Sequence, residues 1–261
     1  MTDIVTNPAQ KLKDGIAVVT GAGSGLGRAL AIELAKNGVH VVGFGRRKQA
    51  LQETADLIVD TQFTPMVVDV SDYGAVRKAF GEISKQGEVT ILINNAGVFP
   101  RRDLLDETSE SFMQTMAINL GGTFACSRAA LEVMTKTGIG RIVNVSSYAD
   151  IAPMPAAAAY SVSKGAGQIL SRAMVADLAD RFPNIVISTW MPGMLATDMG
   201  IADGLAPEIS ARWGAKLALW HDPQLNGVVF EQDTEILPPR SLKGRIKDKV
   251  LRKSRTPRRL A

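Results

Sequence analysis

The sequence predicts an α/β fold of the doubly wound, Rossmann type, with about seven parallel strands and helices on both faces of the sheet. Short apolar runs rich in Val and Ile alternate with helix-length segments whose apolar residues recur every three or four positions. These runs are apolar almost throughout, which is typical of parallel strands that are covered on both faces. No linker precedes residue 238 in the 261-residue chain, so we expect one domain over 1–239 and a tail over 240–261.

The elements follow one another in a regular order. Glycines at 38, 87 and 138 stand where a helix should end before the next strand begins. Two helices are predicted in the region of about 106–136, and one long helix in the region of about 158–181. The seven strands are expected at 15–20, 40–45, 64–70, 89–95, 140–147, 184–190 and 227–232.

Composition and charge exclude several classes of protein. The chain is 46% hydrophobic and 21% charged, and its amino terminus lacks the basic-then-apolar plan of a signal peptide. No run approaches the roughly 20 apolar residues that a membrane helix needs, so we expect a cytoplasmic protein. The single cysteine, Cys126, cannot form an internal disulfide and is expected to be a buried apolar residue.

Metal and hydrolase chemistry find no support in the sequence. The only histidines, His40 and His221, have no cysteine or histidine neighbours at the spacing of zinc ligands, so no metal site is expected. A Gly-x-Ser-x-Gly nucleophile elbow is also missing.

The positive charge is concentrated in the tail. Residues 240–261 contain ten Lys/Arg and one acid, a local charge of +9, so the rest of the chain carries −5 of the total of +4. This distribution argues against nucleic-acid binding by the body. The tail leaves two interpretations open. It is either a solvated or partly disordered end, which we favour, or a basic amphipathic segment with Leu242, Ile246 and Leu251 on one side that contacts a membrane surface weakly.

A glycine-rich turn joins the first strand to the first helix. In "TGAGSGLG", Gly21, Gly25 and Gly27 leave room for a pyrophosphate to approach the backbone, with Ser24 and Leu26 in the same turn. The start of the helix offers unpaired N–H groups and the positive end of the helix dipole. Because the turn follows a strand and opens a helix, it predicts a dinucleotide site.

The spacing of this turn, Gly-x-x-x-Gly-x-Gly after Thr20, resembles that of the classical short-chain dehydrogenases/reductases. Other marks of the family follow in order up to residue 197, so the resemblance covers about three quarters of the chain. It implies an adenine-contacting pair at the end of the third strand, an "NNAG" signature ending the fourth, and a Pro-Gly-x-x-x-Thr clamp on the nicotinamide after the sixth. The cofactor residues implied are Gly21, Ser24, Gly25, Leu26, Gly27, Asp69, Val70, Asn95, Ala96, Gly97, Tyr160, Lys164, Pro192, Gly193, Leu195 and Thr197.

The end of the second strand indicates which cofactor is bound. An acid at this point hydrogen-bonds the 2′-hydroxyl of NAD(H), whereas a cation suits the 2′-phosphate of NADP(H). Gly45 stands where NAD-preferring relatives carry the acid, and Arg46 and Arg47 follow it with no carboxylate nearby in the sequence. We therefore expect NADP(H).

Tyr160 and Lys164, in "YSVSK", are the expected acid–base pair. Positions four apart lie on one face of a helix, and an ammonium near a phenol lowers a pKa that is otherwise near 10. The lysine also suits the hydroxyls of the nicotinamide ribose. Ser147 precedes Tyr160 by thirteen residues, the separation found in the family. The resemblance implies that Ser147 hydrogen-bonds the substrate oxygen, with Ser146 as second choice, and that Asn119 is linked to the lysine through water.

These residues predict an NADP(H)-dependent oxidoreductase that moves a hydride between the cofactor and a carbonyl or secondary alcohol. The alternative is a non-catalytic NADP(H)-binding sensor or scaffold, which should carry a broken Ser–Tyr–Lys set. The substrate stays open. The wall at 148–159 is small and apolar, and Arg101 and Arg102 either meet an anionic substrate or belong to a solvated loop, which we favour. The family implies a dimer through the long helices, and the lack of its glycine-rich carboxyl end argues against a tetramer.

Overall fold

The computed structural model of the protein describes residues 7–58, 62–238 and 256–260. It shows an eight-stranded sheet in the order β3-β2-β1-β4-β5-β6-β7-β8, in which β1 to β7 are parallel and β8 pairs antiparallel with β7. The doubly wound α/β fold is thereby confirmed. The strands are β1 (Ile16–Thr20), β2 (His40–Gly45), β3 (Phe63–Val67), β4 (Val89–Asn94), β5 (Gly140–Val145), β6 (Ile185–Met191), β7 (Val229–Glu231) and β8 (Thr234–Ile236).

Helices cover both faces of this sheet. The two expected helical regions correspond to α5, a π-helical turn and α6 in the first case, and to α7 in the second. The helices are α1 (Pro8–Asp14), α2 (Gly25–Lys36), α3 (Lys48–Asp56), α4 (Tyr73–Ile83), α5 (Ser109–Met116), α6 (Gly122–Thr137), α7 (Ala158–Leu178) and α8 (Pro207–Leu219). Within the described ranges, none of them combines the length and apolarity needed to cross a bilayer.

Strand β1 shows why the strands are apolar throughout. Its residues are all buried, and they alternate between the two cores of the protein. Ala17 and Val19 belong to the core that contains α2 and α8, whereas Ile16 and Val18 belong to the core that contains α4 and α6. A strand between two helical layers has no solvent face, so polar alternation is lost.

The order in which the chain adds strands to the sheet reverses beside β1. From β1 the chain proceeds outward to β2 and β3, and then returns to place β4 on the other side of β1. In sheets of this kind the carboxyl ends of the two strands at the reversal leave a crevice that binds ligands. The carboxyl ends of β1 and β4 therefore define where a site is expected.

The ends of β3 and β5 and the presence of an eighth strand differ from the sequence prediction. Strand β3 ends at Val67, where its single partner β2 ends at Gly45, so Asp69 and Val70 lie in the following loop and do not end the strand. Strand β5 likewise ends at Val145, so Ser147 lies beyond it and caps a short 3-10 turn. Strand β8 was not predicted, because its three residues are too short to show a pattern.

The last described residues pack against β8. Arg258 donates its backbone N–H to Glu235 at 3.1 Å and pairs with the same carboxylate through Nε at 3.2 Å. Leu260 is 2% exposed and lies in the core that contains α2 and α8. Residues 256–260 therefore belong to the packed body. The proposed apolar stripe at Leu242, Ile246 and Leu251 lies outside the described residues.

Candidate active site

A cleft of about 1670 Å³ opens at the carboxyl ends of β1 and β4. Every catalytic and cofactor residue named from the sequence lines this cleft except Asn119, which lies behind Lys164. The fold thus gathers residues from six separate loops, spread between positions 21 and 197, at one place. The cleft wall also contains side chains that the sequence did not single out, and these are described last.

The glycine turn is closely packed against the end of β4. Gly21 and Gly25 have φ angles of +71° and +51°, in the left-handed region that favours glycine. A Cβ on Gly27 would lie 2.1 Å from the Gly21 carbonyl oxygen and 2.6 Å from the Asn95 side-chain nitrogen. Gly27 is therefore required for the packing of α2 on the turn, a reason different from the clearance for pyrophosphate that the sequence suggested.

Arg28 braces this turn from the first turn of α2. Its Nη2 donates to the Gly23 carbonyl at 2.7 Å and pairs with Glu53 at 2.8 Å, while its Nε donates to Thr54 at 3.1 Å. Thr54 in turn donates to the Ala22 carbonyl at 2.9 Å. These contacts fix the turn to α3, and nothing in the sequence pattern indicated them.

The end of β4 is tied to the end of β1. The Thr20 hydroxyl accepts hydrogen bonds from the backbone N–H groups of Asn95 and Ala96, both at 2.9 Å. The Asn95 side chain donates to the Thr20 carbonyl at 2.9 Å. Asn94 points into the sheet and donates to Asn144 at 2.8 Å. The two asparagines of "NNAG" thus hold neighbouring strand ends together beside the cleft.

The end of β2 presents a positively charged edge. Arg46 and Arg47 are exposed and line the cleft, and Arg47 donates to Ser24 of the glycine turn at 3.3 Å. Asp69 lies across from them. Its pKa is lowered by a hydrogen bond from the Ser71 side chain and, to a smaller extent, by the charge of Arg46. In the folded protein a carboxylate therefore does lie near these arginines, contrary to the expectation from the sequence. Asp69 forms no direct ion pair with Arg46.

Tyr160 and Lys164 lie one turn apart on α7, as predicted from their spacing. Lys164 donates to the Val145 carbonyl at 2.9 Å, and its Nζ lies 5.7 Å from the centre of the Tyr160 ring. Burial lowers the pKa of Lys164 to about 8. Burial also raises the pKa of Tyr160, and a hydrogen bond with Ser147 opposes this shift. The direction of this shift is opposite to the lowered tyrosine pKa expected from the sequence, because desolvation outweighs the neighbouring groups.

Ser147 stands beside the phenol, and Ser146 lies deeper. The Ser147 hydroxyl bonds to Tyr160 and accepts from the Ala149 N–H at 3.2 Å. Ser146 is 8% exposed and its hydroxyl has no hydrogen-bond partner among the described residues. Of the two serines, Ser147 therefore has the geometry for a substrate oxygen shared with Tyr160.

Asn119 is buried in a π-helical turn, Ala117–Gly121, between α5 and α6. Its side chain bonds both backbone groups of Val98, accepting from N–H at 2.8 Å and donating to the carbonyl at 3.0 Å, and also donates to Ser163 at 2.9 Å. A polar cavity of about 10 Å³ lies between Asn119 and Lys164, near the size that one water occupies. Asn119 thus holds the loop after β4 and borders a space through which water can link it to the lysine.

The segment after β6 closes over the glycine turn. Pro192 and Gly193 follow β6 directly, and Leu195 pairs with Leu205 in an isolated parallel bridge that folds the segment on itself. A Cβ on Gly25 would lie 3.2 Å from the Thr197 methyl group. The segment and the turn therefore approach each other across the cleft, where the family resemblance puts the clamp.

The sequence indicated the wall at 148–159 and Arg101 at the substrate end of the cleft, but it did not single out Phe99 or the apolar side chains after β6. Phe99 stacks on Tyr160 with ring centres 4.5 Å apart, and the Arg101 guanidinium lies 5.5 Å from the centre of the Phe99 ring. The exposed apolar side chains that line this end are Tyr148, Met154, Met194, Met199 and Ile201. Met194, Met199 and Ile201 lie in the segment after β6, where no periodic signal marks them. The signals in the sequence were the wall at 148–159 and the position of Arg101 after β4.

Nothing in the described ranges groups three or more histidine, cysteine, aspartate or glutamate side chains in an arrangement that could hold a metal ion.

The parallel sheet, with a cleft at the point where the strand order reverses, defines a Rossmann-like α/β protein. The family model for short chain dehydrogenase matches residues 15–205. The chain belongs to the short-chain dehydrogenase/reductase family of oxidoreductases.

Individual relatives act on different alcohols. The chain is 34% identical over 205 residues to the galactitol 2-dehydrogenase (L-tagatose-forming) of Cereibacter sphaeroides, covering 78% of this chain and 80% of that one. It is 33% identical to a 3beta-hydroxysteroid dehydrogenase of Mediterraneibacter gnavus, with 87% and 83% covered. It is 32% identical to the NADP-dependent (R)-specific alcohol dehydrogenase of Lentilactobacillus kefiri, with 72% and 76% covered.

Proposed function

We propose that the protein is an NADP(H)-dependent oxidoreductase that transfers a hydride between the nicotinamide and a carbonyl or secondary alcohol. The observation that carries this proposal is the meeting of Tyr160, Lys164 and Ser147 in the cleft that the glycine turn also lines. The names of the relatives support the reaction class, since they describe dehydrogenases of a sugar alcohol, a steroid and an alcohol. They support no single substrate, because these molecules differ in size and polarity.

The cleft has the chemistry to hold the cofactor. Gly21, Gly25 and the start of α2 offer backbone N–H groups to a pyrophosphate, and the bracing by Arg28 keeps them in place. When bound, NADPH supplies the hydride. The residues that would contact its adenine half are Ser24, Leu26, Gly27, Arg46, Arg47, Asp69 and Val70; those for its nicotinamide half are Asn95, Ala96, Gly97, Pro192, Gly193, Leu195 and Thr197.

The side chains divide the proton chemistry between them. In the direction of reduction, Tyr160 donates its phenolic proton to the carbonyl oxygen, and the raised pKa keeps that proton in place at neutral pH. Ser147 donates a second hydrogen bond to the same oxygen and stabilises the negative charge that develops there. Lys164 and the small cavity beside Asn119 form the route by which water returns a proton to the phenol. In oxidation the same steps run in reverse.

The preference for NADP(H) rests on the charged edge at the end of β2. Two exposed guanidinium groups there suit a phosphate better than a hydroxyl, and Gly45 contributes no carboxylate. A guanidinium–phosphate contact contributes about 1.5–3 kcal/mol, so Arg46→Ala should weaken NADPH binding about 10- to 100-fold and leave NADH binding unchanged. Lys48→Ala, which removes a neighbouring charge outside the cleft, is the control. Equal losses for NADPH and NADH would contradict the preference.

The alternative function, a non-catalytic NADP(H)-binding sensor or scaffold, predicts a broken catalytic set. Here all four positions carry residues able to react: Asn119, Ser147, Tyr160 and Lys164. A panel of aldehydes and ketones offered with NADPH and with NADH, followed at the nicotinamide absorbance, separates the two functions. Turnover of any of these carbonyls supports the enzyme, whereas tight NADPH binding with no turnover across the panel supports the sensor.

We also propose that the protein works as a cytoplasmic dimer. Cys126 is free and buried, which suits a reducing compartment. Phe124 on α6 and Val162 and Ile169 on α7 are apolar and 44%, 50% and 60% exposed. These helices are those of the dimer that the family resemblance implied. Light scattering should give twice the mass of the chain for the wild type and the monomer mass for an Ile169→Glu variant.

A further inference from the structure

The loop that follows β4 carries a cation close to the catalytic phenol. Phe99 lies 4.5 Å from Tyr160, ring centre to ring centre, and the Arg101 guanidinium carbon lies 5.5 Å from the Phe99 centre. Adding 4.5 and 5.5, the guanidinium carbon lies at most 10.0 Å from the centre of the Tyr160 ring. A small organic molecule whose carbonyl oxygen meets Tyr160 can therefore reach Arg101 with its other end.

This loop is held on three sides, so the position of Arg101 is defined. Val98 is fixed at its start by two hydrogen bonds from and to Asn119. The N–H of Arg102 donates to the Ala156 carbonyl at 3.1 Å, in the wall before Tyr160. Arg101 itself donates through Nη2 to the Gly200 carbonyl at 3.0 Å, in the segment on the opposite side of the cleft.

Arg101 retains unused capacity for an anion, whereas Arg102 does not. Arg102 pairs with Glu107, whose side chain is only 6% exposed, and this ion pair secures the loop. In the part of the chain that the structure describes, the acceptor that Arg101 meets is the neutral Gly200 carbonyl, and no carboxylate lies within ion-pair distance of it. A guanidinium has five donors in a fork that matches a carboxylate. Exchanging a neutral acceptor for a charged one strengthens such bonds roughly twofold.

The cleft that contains Tyr160 and Arg101 is also lined by exposed, adaptable apolar side chains. Met154, Met194 and Met199 line the cleft and are 50%, 63% and 42% exposed. Flexible methionine side chains adjust to varied apolar ligands. The acids of the same cleft segment, Asp198 and Asp203, are exposed to solvent, and neither forms an ion pair with Arg101.

We propose that Arg101 is a specificity-determining residue that binds a carboxylate on the substrate, so that the preferred substrates are carbonyl compounds with an apolar body and an anionic end. The inference rests on the proposed function, because it takes Tyr160 as the point where the carbonyl binds. The guanidinium lies over the Phe99 ring and donates to the Gly200 carbonyl.

Paired ligands that differ only in charge test this inference. The ketones para-acetylbenzoate and para-acetylbenzamide have the same shape, and with NADP⁺ both form complexes that cannot react, so binding is measured without turnover. Titration calorimetry gives Kd for each ligand with the NADP⁺-loaded wild type and with Arg101→Ala, Arg101→Lys and Arg77→Ala. Arg77 lies exposed on α4 outside the cleft and controls for the change in net charge.

The wild type should bind the acid at least about tenfold more tightly than the amide, as expected for one charge-assisted contact. Arg101→Ala should remove this preference and leave Kd for the amide unchanged, which also shows that the cleft is intact. Arg101→Lys should retain part of the preference, and Arg77→Ala all of it. Equal affinities in the wild type, no binding of either ligand, or a preference that survives Arg101→Ala would overturn the inference.

The proposed function and the role of Arg101 can be contradicted independently of each other. Reduction of neutral ketones by NADPH with no preference for the acid would leave the enzyme in place and remove the role of Arg101. Preferential binding of the acid with no reduction of any carbonyl by NADPH or NADH would support the anion site and contradict the enzymatic proposal.

Discussion

Replacement of Gly27 by alanine should damage both the fold and nucleotide binding. The added Cβ would lie 2.1 Å from the Gly21 carbonyl oxygen, 2.6 Å from the Asn95 side-chain nitrogen and 2.7 Å from the Gly21 carbonyl carbon. Two of these atoms belong to the backbone of the turn itself, which has no side-chain freedom with which to yield. Overpacking of this kind costs about 1–3 kcal/mol, and each kcal/mol lowers Tm by about 2–4 °C in a protein of this size.

Gly81→Ala is the matched control for this change. Gly81 is exposed on α4, and a Cβ there would meet nothing within 4 Å. Alanine in a helix is favoured over glycine by about 0.8–1.0 kcal/mol, so this variant should be more stable than the wild type. Urea denaturation gives the free energy of unfolding, and titration with NADPH gives Kd. A Gly27→Ala protein that unfolds like the wild type and binds NADPH equally well would refute the argument from the packing of α2 on the turn.

Three further outcomes follow from burial and charge. Because burial lowers the pKa of Lys164 to about 8 from an ordinary 10.5, the folded protein holds this proton less tightly than the unfolded chain. Keeping Lys164 protonated in the folded protein therefore lowers the free energy of unfolding by up to about 3 kcal/mol below pH 8. The stability of the wild type relative to Lys164→Met should rise between pH 8 and 10.5, and a constant difference over this range would contradict the shift. Leu260→Ala should lower the free energy of unfolding by about 2–5 kcal/mol, because the side chain is 2% exposed in the core; a loss below 0.5 kcal/mol, measured by urea denaturation, would show that the chain end is not packed. Arg259→Ala should stay within about 0.5 kcal/mol of the wild type, since the side chain of Arg259 is 67% exposed.

The repeating parts of the fold could be predicted because they leave local patterns in the sequence. Buried parallel strands such as β1 are apolar throughout, and glycine at the turn after β1 marks the change from strand to helix. The spacing of Tyr160 and Lys164 indicates one helix face, whatever packs against it. These features depend only on residues that are close together in the sequence.

The remaining features depend on contacts between distant segments. Strand β8 is only three residues long, and it exists because β7 offers a free edge and because Arg258 and Leu260 return to cover it. The stack of Phe99 on Tyr160 joins residues sixty-one positions apart. The raised pKa of Tyr160 likewise results from burial by several segments, and the sequence showed only the neighbouring lysine that would lower it. No periodic pattern records such contacts.

The most direct measurement of the central claim compares Tyr160→Phe with Tyr73→Phe in carbonyl reduction by NADPH. Each variant loses one phenolic hydroxyl, but Tyr73 is 53% exposed on α4 and lies outside the cleft. General acid catalysis contributes about 10²–10⁴ in rate, so kcat should fall by at least about 10²-fold in Tyr160→Phe and stay unchanged in Tyr73→Phe. NADPH should bind both variants as it binds the wild type. Full activity in Tyr160→Phe, on any ketone that the wild type reduces, would contradict the account.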